Sequence, residues 1–156
     1  MRITCLCDRP QRIAEVAAAH VAAFGQLLPE WTQVQAEQEL RQHQCDAIPV
    51  TWLAEDADGW LGSISLLHED HADVPSYSPW LASLYVQPSA RGRGIARALV
   101  NHCVAEAARR GIARLYLYCD APMLAFYQRQ GWQVEARLPL GPLWIVILFI
   151  QPPKAG

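Results

Sequence analysis

The sequence predicts a single mixed α/β (α+β) domain built around one central sheet. Its 156 residues suit one compact domain, and a hydrophobic content of 52% is enough to form a core. Strand-sized apolar segments alternate with segments of helical periodicity along the chain, without an internal repeat or a linker. Residues 1–156 are therefore expected to fold as one unit.

The first half of the chain predicts one strand, two helices and a hairpin. Pro10 near its start and Gly25 after its end delimit the first helix, whose apolar residues recur at helical spacing. The turn Asp58-Gly59 between two apolar runs predicts the hairpin. In order, the predicted elements are a strand at Ile3–Cys7, helices at Pro10–Phe24 and Trp31–Gln42, and strands at Val50–Glu55 and Trp60–Leu67.

The second half predicts four strands and two helices. Pro88 ends a buried strand, and Gly111 ends a long helix rich in Ala and Leu. Asp120 can cap a short helix that has Pro122 in its first turn. In order, the predicted elements are a strand at Leu81–Val86, a helix at Ile95–Arg110, a strand at Leu115–Cys119, the short helix running to Gln130, and strands at Trp132–Leu138 and Leu143–Ile150.

Charge and hydropathy exclude several classes of protein. The net charge of −2 divides into −8 over residues 1–78 and +6 over residues 79–156. This split suits a site with a basic and an acidic side, and it differs from the broad basic surface of a nucleic-acid-binding protein. No apolar run reaches the roughly 18 residues that a membrane helix needs, and the N-terminus lacks a signal-peptide pattern. We expect neither a nucleic-acid nor a membrane partner.

The five cysteines show no pattern typical of a disulfide framework or a zinc site. Their number is odd, and no Cys-x-x-Cys pair is present. Such usage is typical of a reducing compartment. The sequence therefore predicts a cytoplasmic protein without a bound metal ion.

A turn rich in glycine and arginine joins a predicted strand to a predicted helix. It reads Arg91-Gly92-Arg93-Gly94, and the helix begins directly afterwards at Ile95. The N–H groups at a helix N-terminus attract anions, glycines let a phosphate approach the backbone, and arginines add charged donors. The turn is neither a Walker loop nor a Gly-x-Gly-x-x-Gly dinucleotide turn. It predicts a phosphate or pyrophosphate site, with an ordinary helix start as the alternative.

The same turn resembles the acyl-coenzyme A signature of the GNAT superfamily of N-acetyltransferases, Gln/Arg-x-x-Gly-x-Gly/Ala. Arg91, Gly94 and Ala96 occupy its three defined positions. The segment from Asp120 to Trp132 is similar to the family's second motif, a helix bearing a tyrosine followed by Gly-Phe or Gly-Trp. The resemblance extends from about residue 50 to the C-terminus, so the chain is identified as a member of this superfamily.

The resemblance implies where acetyl-CoA binds. The strand ending at Val86 is expected to splay away from the strand Leu115–Cys119 and to leave a gap for the pantetheine arm. A main-chain N–H of the first strand is expected to stabilise the acetyl oxygen. Asp120 stands where the family commonly has Asn, and it keeps a helix cap but loses an amide donor. The implied cofactor-binding residues are Leu84, Tyr85 and Val86 for the arm, Arg91, Gly92, Arg93, Gly94, Ile95 and Ala96 for the pyrophosphate, and Asp120.

The resemblance also implies an acid and leaves the base open. Tyr127 matches the family tyrosine that protonates the departing thiolate; a phenol of pKa about 10 can protonate a thiolate of pKa about 8.5 at hydrogen-bond distance. A plain core aromatic is the alternative role. Relatives commonly carry Glu or Asp where this chain has Ala82 and Ser83. Glu69 and Asp70 are then the candidate bases, because they follow the preceding predicted strand.

These features predict an enzyme, an N-acetyltransferase that moves an acetyl group from acetyl-CoA directly to an amine. A small-molecule amine is the expected acceptor, and amino acids and protein N-termini are the alternatives. Cys103 and Cys119 lack a nearby His/Asp pattern, so an acetyl-cysteine route is not expected. The alternative is a module that binds acyl-CoA without turnover, which the missing strand carboxylate suggests. The long apolar strand Leu143–Ile150 further predicts a homodimer that covers it.

Overall fold

The predicted order of strands and helices is confirmed by a computed structural model, which describes residues 1–25, 30–68, 77–140 and 143–153. Boundaries agree with the predicted ones to within three residues, and those of β5 and β7 agree at both ends. The elements are β1 (Arg2–Cys5), α1 (Ile13–Phe24), α2 (Gln33–Arg41), β2 (Val50–Asp56), β3 (Gly59–Leu67), β4 (Trp80–Val86), α3 (Ile95–Arg109), β5 (Leu115–Cys119), α4 (Ala121–Gln128), β6 (Gln133–Leu140) and β7 (Leu143–Ile150).

The strands form one mixed sheet in the order β1-β2-β3-β4-β5-β7-β6. Neighbours are antiparallel except for β4 and β5, which are parallel. In the described part of the chain, β4 and β5 pair only at Trp80 and Tyr116. Next to this pair, the Tyr116 N–H donates to the Pro79 carbonyl at 3.0 Å. Both strands diverge beyond that point, so the predicted splay is confirmed.

Helices cover both faces of the sheet. Successive residues of β2 point to opposite faces, and they belong to different cores. Trp52 packs in one buried cluster with Leu99 of α3, whereas Leu53 packs in another with Val16 of α1. None of the described helices is long and apolar enough to cross a membrane. The sheet thus carries α3 on one face and the α1–α2 pair on the other.

A bulge interrupts β4 within the segment predicted to meet the acetyl group. From Ser63 to Ser65, β3 advances two residues, whereas β4 advances three, from Ala82 to Tyr85. In this bulge Ser83 has φ +54, in the left-handed region that residues other than glycine rarely adopt. Bulges redirect the backbone groups that follow them. The bulge therefore sets which way the end of β4 presents its N–H groups.

The apolar strand β7 is covered on both edges within the sheet itself. It lies between β5 and β6 and pairs with each of them. Its residues Ile145, Ile147 and Leu148 are buried. The homodimer was predicted because an apolar strand must be shielded from solvent. Pairing with β5 and β6 already shields the two edges of β7. The homodimer stays a prediction.

Candidate active site

The turn before α3 forms an open cradle over the helix N-terminus. Gly92 and Gly94 have φ values of +79 and +77, and Gly94 is the N-cap residue of α3. A Cβ built on either glycine meets no atom of the described residues within 4 Å. The Ala98 N–H donates to the Gly94 carbonyl at 3.1 Å, so the N–H groups that precede it in the helix have no helical acceptor. The cradle therefore combines free donors with space for a phosphate.

The two arginines of the cradle are held by different partners. Nε of Arg91 donates to the Val86 carbonyl at 3.2 Å, which folds this side chain back over the end of β4. The guanidinium of Arg93 lies 3.8 Å from the carboxylate of Asp56, the last residue of β2, and this pair is half exposed and therefore weak. A guanidinium has five N–H donors, so both side chains keep donors for a phosphate.

Beyond the bulge, one edge of β4 faces the gap toward β5. Tyr85 and Val86 pair with β3 on the other edge, and no described residue of β5 pairs with them. Leu84 and Val86 pack against the buried cluster that also contains Tyr127. Backbone groups inside a protein need hydrogen-bond partners, and an extended amide-bearing chain can supply them. Leu84, Val86 and Tyr127 thus border or belong to the same core, and the edge of β4 offers backbone groups to an extended ligand.

A buried polar chain reaches the bulge from α1. The Ser63 hydroxyl donates to the Ser83 carbonyl at 3.3 Å, and Nε2 of His20 lies 2.8 Å from the same oxygen atom of Ser63. Serine has a single hydroxyl proton, so the imidazole must donate from Nε2. Burial lowers the pKa of His20 to about 4, with a smaller effect of nearby His43. A neutral imidazole therefore holds the bulge at neutral pH.

The sequence analysis did not identify His20. It follows Ile13, Val16 and Ala17 on the buried face of α1, at helical spacing. A histidine on such a face needs a buried polar partner, and that requirement was the available signal.

Tyr127 lies near the end of α4 and is 5% exposed. Its ring packs edge-on against Phe126 and Trp132, with centroids 5.1 and 6.1 Å away. Burial raises the pKa of the Tyr127 phenol, and the neighbouring Cys119 and Asp120 raise it further. The phenol is therefore protonated throughout the physiological range, which a proton donor requires.

Of the remaining predicted site residues, the structure describes Asp120 but not Glu69 or Asp70. Asp120 caps α4, since its Oδ1 accepts from the Met123 N–H at 3.3 Å. The expectation that the carboxylate keeps the helix cap is met, and its contact with the cofactor stays a prediction. Glu69 and Asp70, the candidate bases, lie outside the described residues.

The cysteines divide into two groups. Cys103 and Cys119 are buried free thiols. Burial raises the pKa of both, to about 11 for Cys119, so neither is a thiolate at neutral pH. The sulfur atoms of Cys5, Cys7 and Cys45 converge, which the sequence analysis did not anticipate because Cys45 is 38 residues from Cys7.

A mixed sheet with a splayed parallel pair, followed by an anion cradle at a helix N-terminus, is the arrangement expected of a transferase that uses an acyl-CoA. The sequence model of the Acetyltransferase (GNAT) family matches residues 15–132. The chain belongs to this family, and the predicted family is confirmed.

Similar proteins support the same assignment. A streptothricin acetyltransferase of Streptomyces lavendulae is 33% identical over 95 residues, covering 56% of this chain and 46% of that protein. The matched part spans less than half the length of the curated relatives. Among solved structures, an aminoglycoside 6'-N-acetyltransferase complexed with coenzyme A has a TM-score of 0.78 at 17% identity, covering 100% of this chain and 99% of that one. A ribosomal-protein-alanine N-acetyltransferase from Brucella melitensis has a TM-score of 0.77 at 20% identity, with coverage of 97% and 99%. At these identities the structures show the shared fold.

Proposed function

We propose that this chain, as one domain, transfers an acetyl group from acetyl-CoA directly to a small-molecule amine. The observation that carries the proposal is the open cradle at Gly92 and Gly94, next to the edge of β4 that no described residue of β5 pairs with beyond Trp80. The membership of an acetyltransferase family and the fold shared with a coenzyme A complex support it.

The cradle and the gap supply the groups that hold acetyl-CoA. The N–H groups from Gly92 to Ala96 and the guanidiniums of Arg91 and Arg93 bind the pyrophosphate. The backbone from Leu84 to Val86 pairs with the amides of the pantetheine arm, as a neighbouring strand would. Electrostatic attraction thus anchors one end of the molecule, while sheet-like pairing orients the reactive end.

The end of β4 and Tyr127 supply the chemistry. A main-chain N–H after the bulge donates to the acetyl oxygen as negative charge develops there. The amine nitrogen bonds to the acetyl carbon, and the carbon–sulfur bond breaks. Tyr127 then gives its phenolic proton to the departing thiolate. The proton that the nitrogen loses as the amide forms is released to solvent, and Tyr127 regains a proton from solvent. The bulge, fixed by Ser63 and His20, keeps the N–H donor in position.

Direct transfer is supported by the state of the buried thiols. Cys119 and Cys103 have raised pKa values and are protonated at neutral pH, so they are poor nucleophiles. The acceptor must lose its ammonium proton before attack. Glu69 and Asp70 remain the proposed acceptors of that proton.

The acceptor that fits best is a small amine with additional positive charge. Residues 1–78 carry the acidic excess of the chain, which attracts cations toward its N-terminal half. Two of the similar proteins described above are a streptothricin acetyltransferase and an aminoglycoside 6'-N-acetyltransferase. Both names are consistent with a small-molecule amine.

A coenzyme A release assay across a library of amines tests the proposal. We expect thiol release with a subset of cationic amines and intersecting initial-rate patterns. Ping-pong patterns or a trapped acetyl-enzyme would contradict direct transfer. Tight acetyl-CoA binding by calorimetry, without thiol release for any acceptor, would favour the non-catalytic binding module instead.

A further inference from the structure

Three of the five cysteines meet at one point, away from the proposed active site. Cys5 ends β1, Cys7 lies in the 3-10 turn that follows, and Cys45 lies between α2 and β2. Their sulfur atoms all lie within 4.8 Å of one another, and those of Cys5 and Cys7 are 3.4 Å apart. This cluster has no part in acetyl transfer as proposed above.

A single disulfide does not account for the cluster. The Cα atom of Cys45 lies 5.9 Å from that of Cys5 and 6.4 Å from that of Cys7, and both distances suit a disulfide. One sulfur atom forms only one disulfide, so a bond to either partner leaves the third thiol facing the bonded pair. Three sulfur donors directed at one point are instead the ligand set of a thiolate metal site.

The backbone around the cluster is fixed by contacts of its own. Cys5 pairs with Trp52 across β1 and β2. The Gln44 N–H donates to the Pro49 carbonyl at 2.8 Å, and Arg110 at the end of α3 donates to the Cys45 carbonyl at 3.0 Å. The ligands are therefore preorganised by the sheet and by α3, which lowers the cost of ordering them around an ion.

An ion can reach the cluster from solvent. Cys7 is exposed, and Cys5 and Cys45 are half-buried. By contrast, Cys103 is fully buried and separate from the cluster. The cluster is thus accessible as a binding site in the folded chain.

We propose that Cys5, Cys7 and Cys45 bind one thiophilic metal ion, Zn²⁺ or Cu⁺, through three thiolates. Each thiol releases its proton to solvent when it coordinates, so binding strengthens as pH rises. Cu⁺ is satisfied by three sulfur ligands, whereas Zn²⁺ takes a solvent molecule as its fourth ligand. The ion would join the N-terminal strand to the segment that leads from α2 into β2.

Metal titration of the reduced protein tests this site. The full chain, kept under reductant without oxygen, is titrated with Zn²⁺ and separately with Cu⁺ against a chromophoric chelator, and native mass spectrometry counts the ions. We expect one ion per chain and a higher melting temperature with metal. Cys45→Ser and Cys7→Ser should weaken binding by more than about 100-fold, because even changes outside the ligand shell cost about 10- to 100-fold. Cys103→Ser is the matched control and should still bind one ion.

Two outcomes would overturn the proposal. One is metal binding by the wild-type chain that is no tighter than binding by Cys7→Ser, a change at an exposed position. The other concerns the intact mass of protein isolated under reductant. A mass two hydrogens below that of the fully reduced chain, with no such difference in Cys45→Ser, would assign Cys45 to a disulfide.

Discussion

The imidazole of His20 and the hydroxyl of Ser63 meet at 2.8 Å in the buried space beside the β4 bulge. His20 comes from α1 and Ser63 from β3, so a helix and a strand jointly hold the carbonyl of Ser83. Among the described residues other than glycine, Ser83 alone has a positive φ. Its conformation therefore depends on partners distant in sequence.

Ser63→Ala should lower activity more than the same change at Ser65, two residues further along β3. The variant leaves His20 and the Ser83 carbonyl without their partner and lets the bulge relax. We expect kcat to fall about 10- to 100-fold, the scale of a small misplacement of reacting groups. The free energy of unfolding should fall by about 1–3 kcal/mol.

The control for this change is Ser65→Ala. Ser65 is as buried on the same strand and borders the bulge through its pairing with Ala82, but the bond described for its hydroxyl is to Thr51, at 2.7 Å. The free energy of unfolding of Ser65→Ala, measured in urea, should fall by a similar amount, while its kcat should stay unchanged. Equal kcat losses in both variants would contradict a positioning role for Ser63.

Stability should fall as the pH drops from about 6.5 toward 4. The unfolded chain protonates its histidines near pH 6.5, whereas burial lowers the pKa of folded His20 to about 4. Between these values the unfolded state binds more protons, so acid favours unfolding. From this residue we expect a loss of about 2 kcal/mol between pH 7.5 and pH 5, with His43 acting in the same direction.

His20→Gln tests that assignment by urea unfolding at several pH values. Glutamine can still donate to Ser63 but does not titrate, so the pH dependence should become shallower even if the variant is less stable throughout. An unchanged slope would show that His20 does not carry the effect.

Tyr127→Phe should separate chemistry from binding. The change removes one oxygen and keeps the ring that packs against Phe126 and Trp132. Because the proton is needed only as the carbon–sulfur bond breaks, kcat should fall about 10²- to 10⁴-fold with little change in acetyl-CoA affinity. Steady-state kinetics together with calorimetry measure both quantities. Near-full kcat where chemistry limits the rate would remove Tyr127 as the acid.

Gly94→Ala should impair acetyl-CoA binding first. The added Cβ enters the open space where the phosphate is proposed to lie, and it strains a residue at φ +77. Loss of a hydrogen bond to a charged group costs about 1.5–3 kcal/mol, so Kd should rise about 10- to 100-fold.

Gly111→Ala controls for the backbone strain in that experiment. Gly111 follows α3 at its opposite end, has φ +75, and likewise has open space around an added Cβ among the described residues. It should lose comparable stability and retain acetyl-CoA affinity by calorimetry. A similar loss of affinity in both variants would attribute the effect to strain rather than to the cradle.

The order of elements could be predicted from sequence because its signals are local. Helical periodicity, the Asp58-Gly59 turn and the capping residue Asp120 each act within a few residues, and each is found where expected. The cradle followed from the same kind of signal, since its glycines directly precede α3.

Features that depend on contacts between distant segments could not be predicted. The bulge at Ser83 arises from the pairing register of β3 and β4, which no local pattern specifies. The partner of Arg93 is the carboxylate of Asp56, which ends β2, a strand distant in sequence. The convergence of Cys45 with two N-terminal cysteines likewise requires the folded sheet.

Beyond Trp80, no described residue of β5 pairs with β4, so this edge of β4 lies in the middle of the sheet rather than at its margin. Such edges can recruit a strand from another molecule, and that is how sheet proteins aggregate. A pantetheine arm seated there would act as a removable strand that shields them. At a free concentration 100 times its Kd, a ligand adds about 2.7 kcal/mol to the stability of the folded chain. The cellular supply of coenzyme A would then govern how long this protein survives, as well as how fast it works.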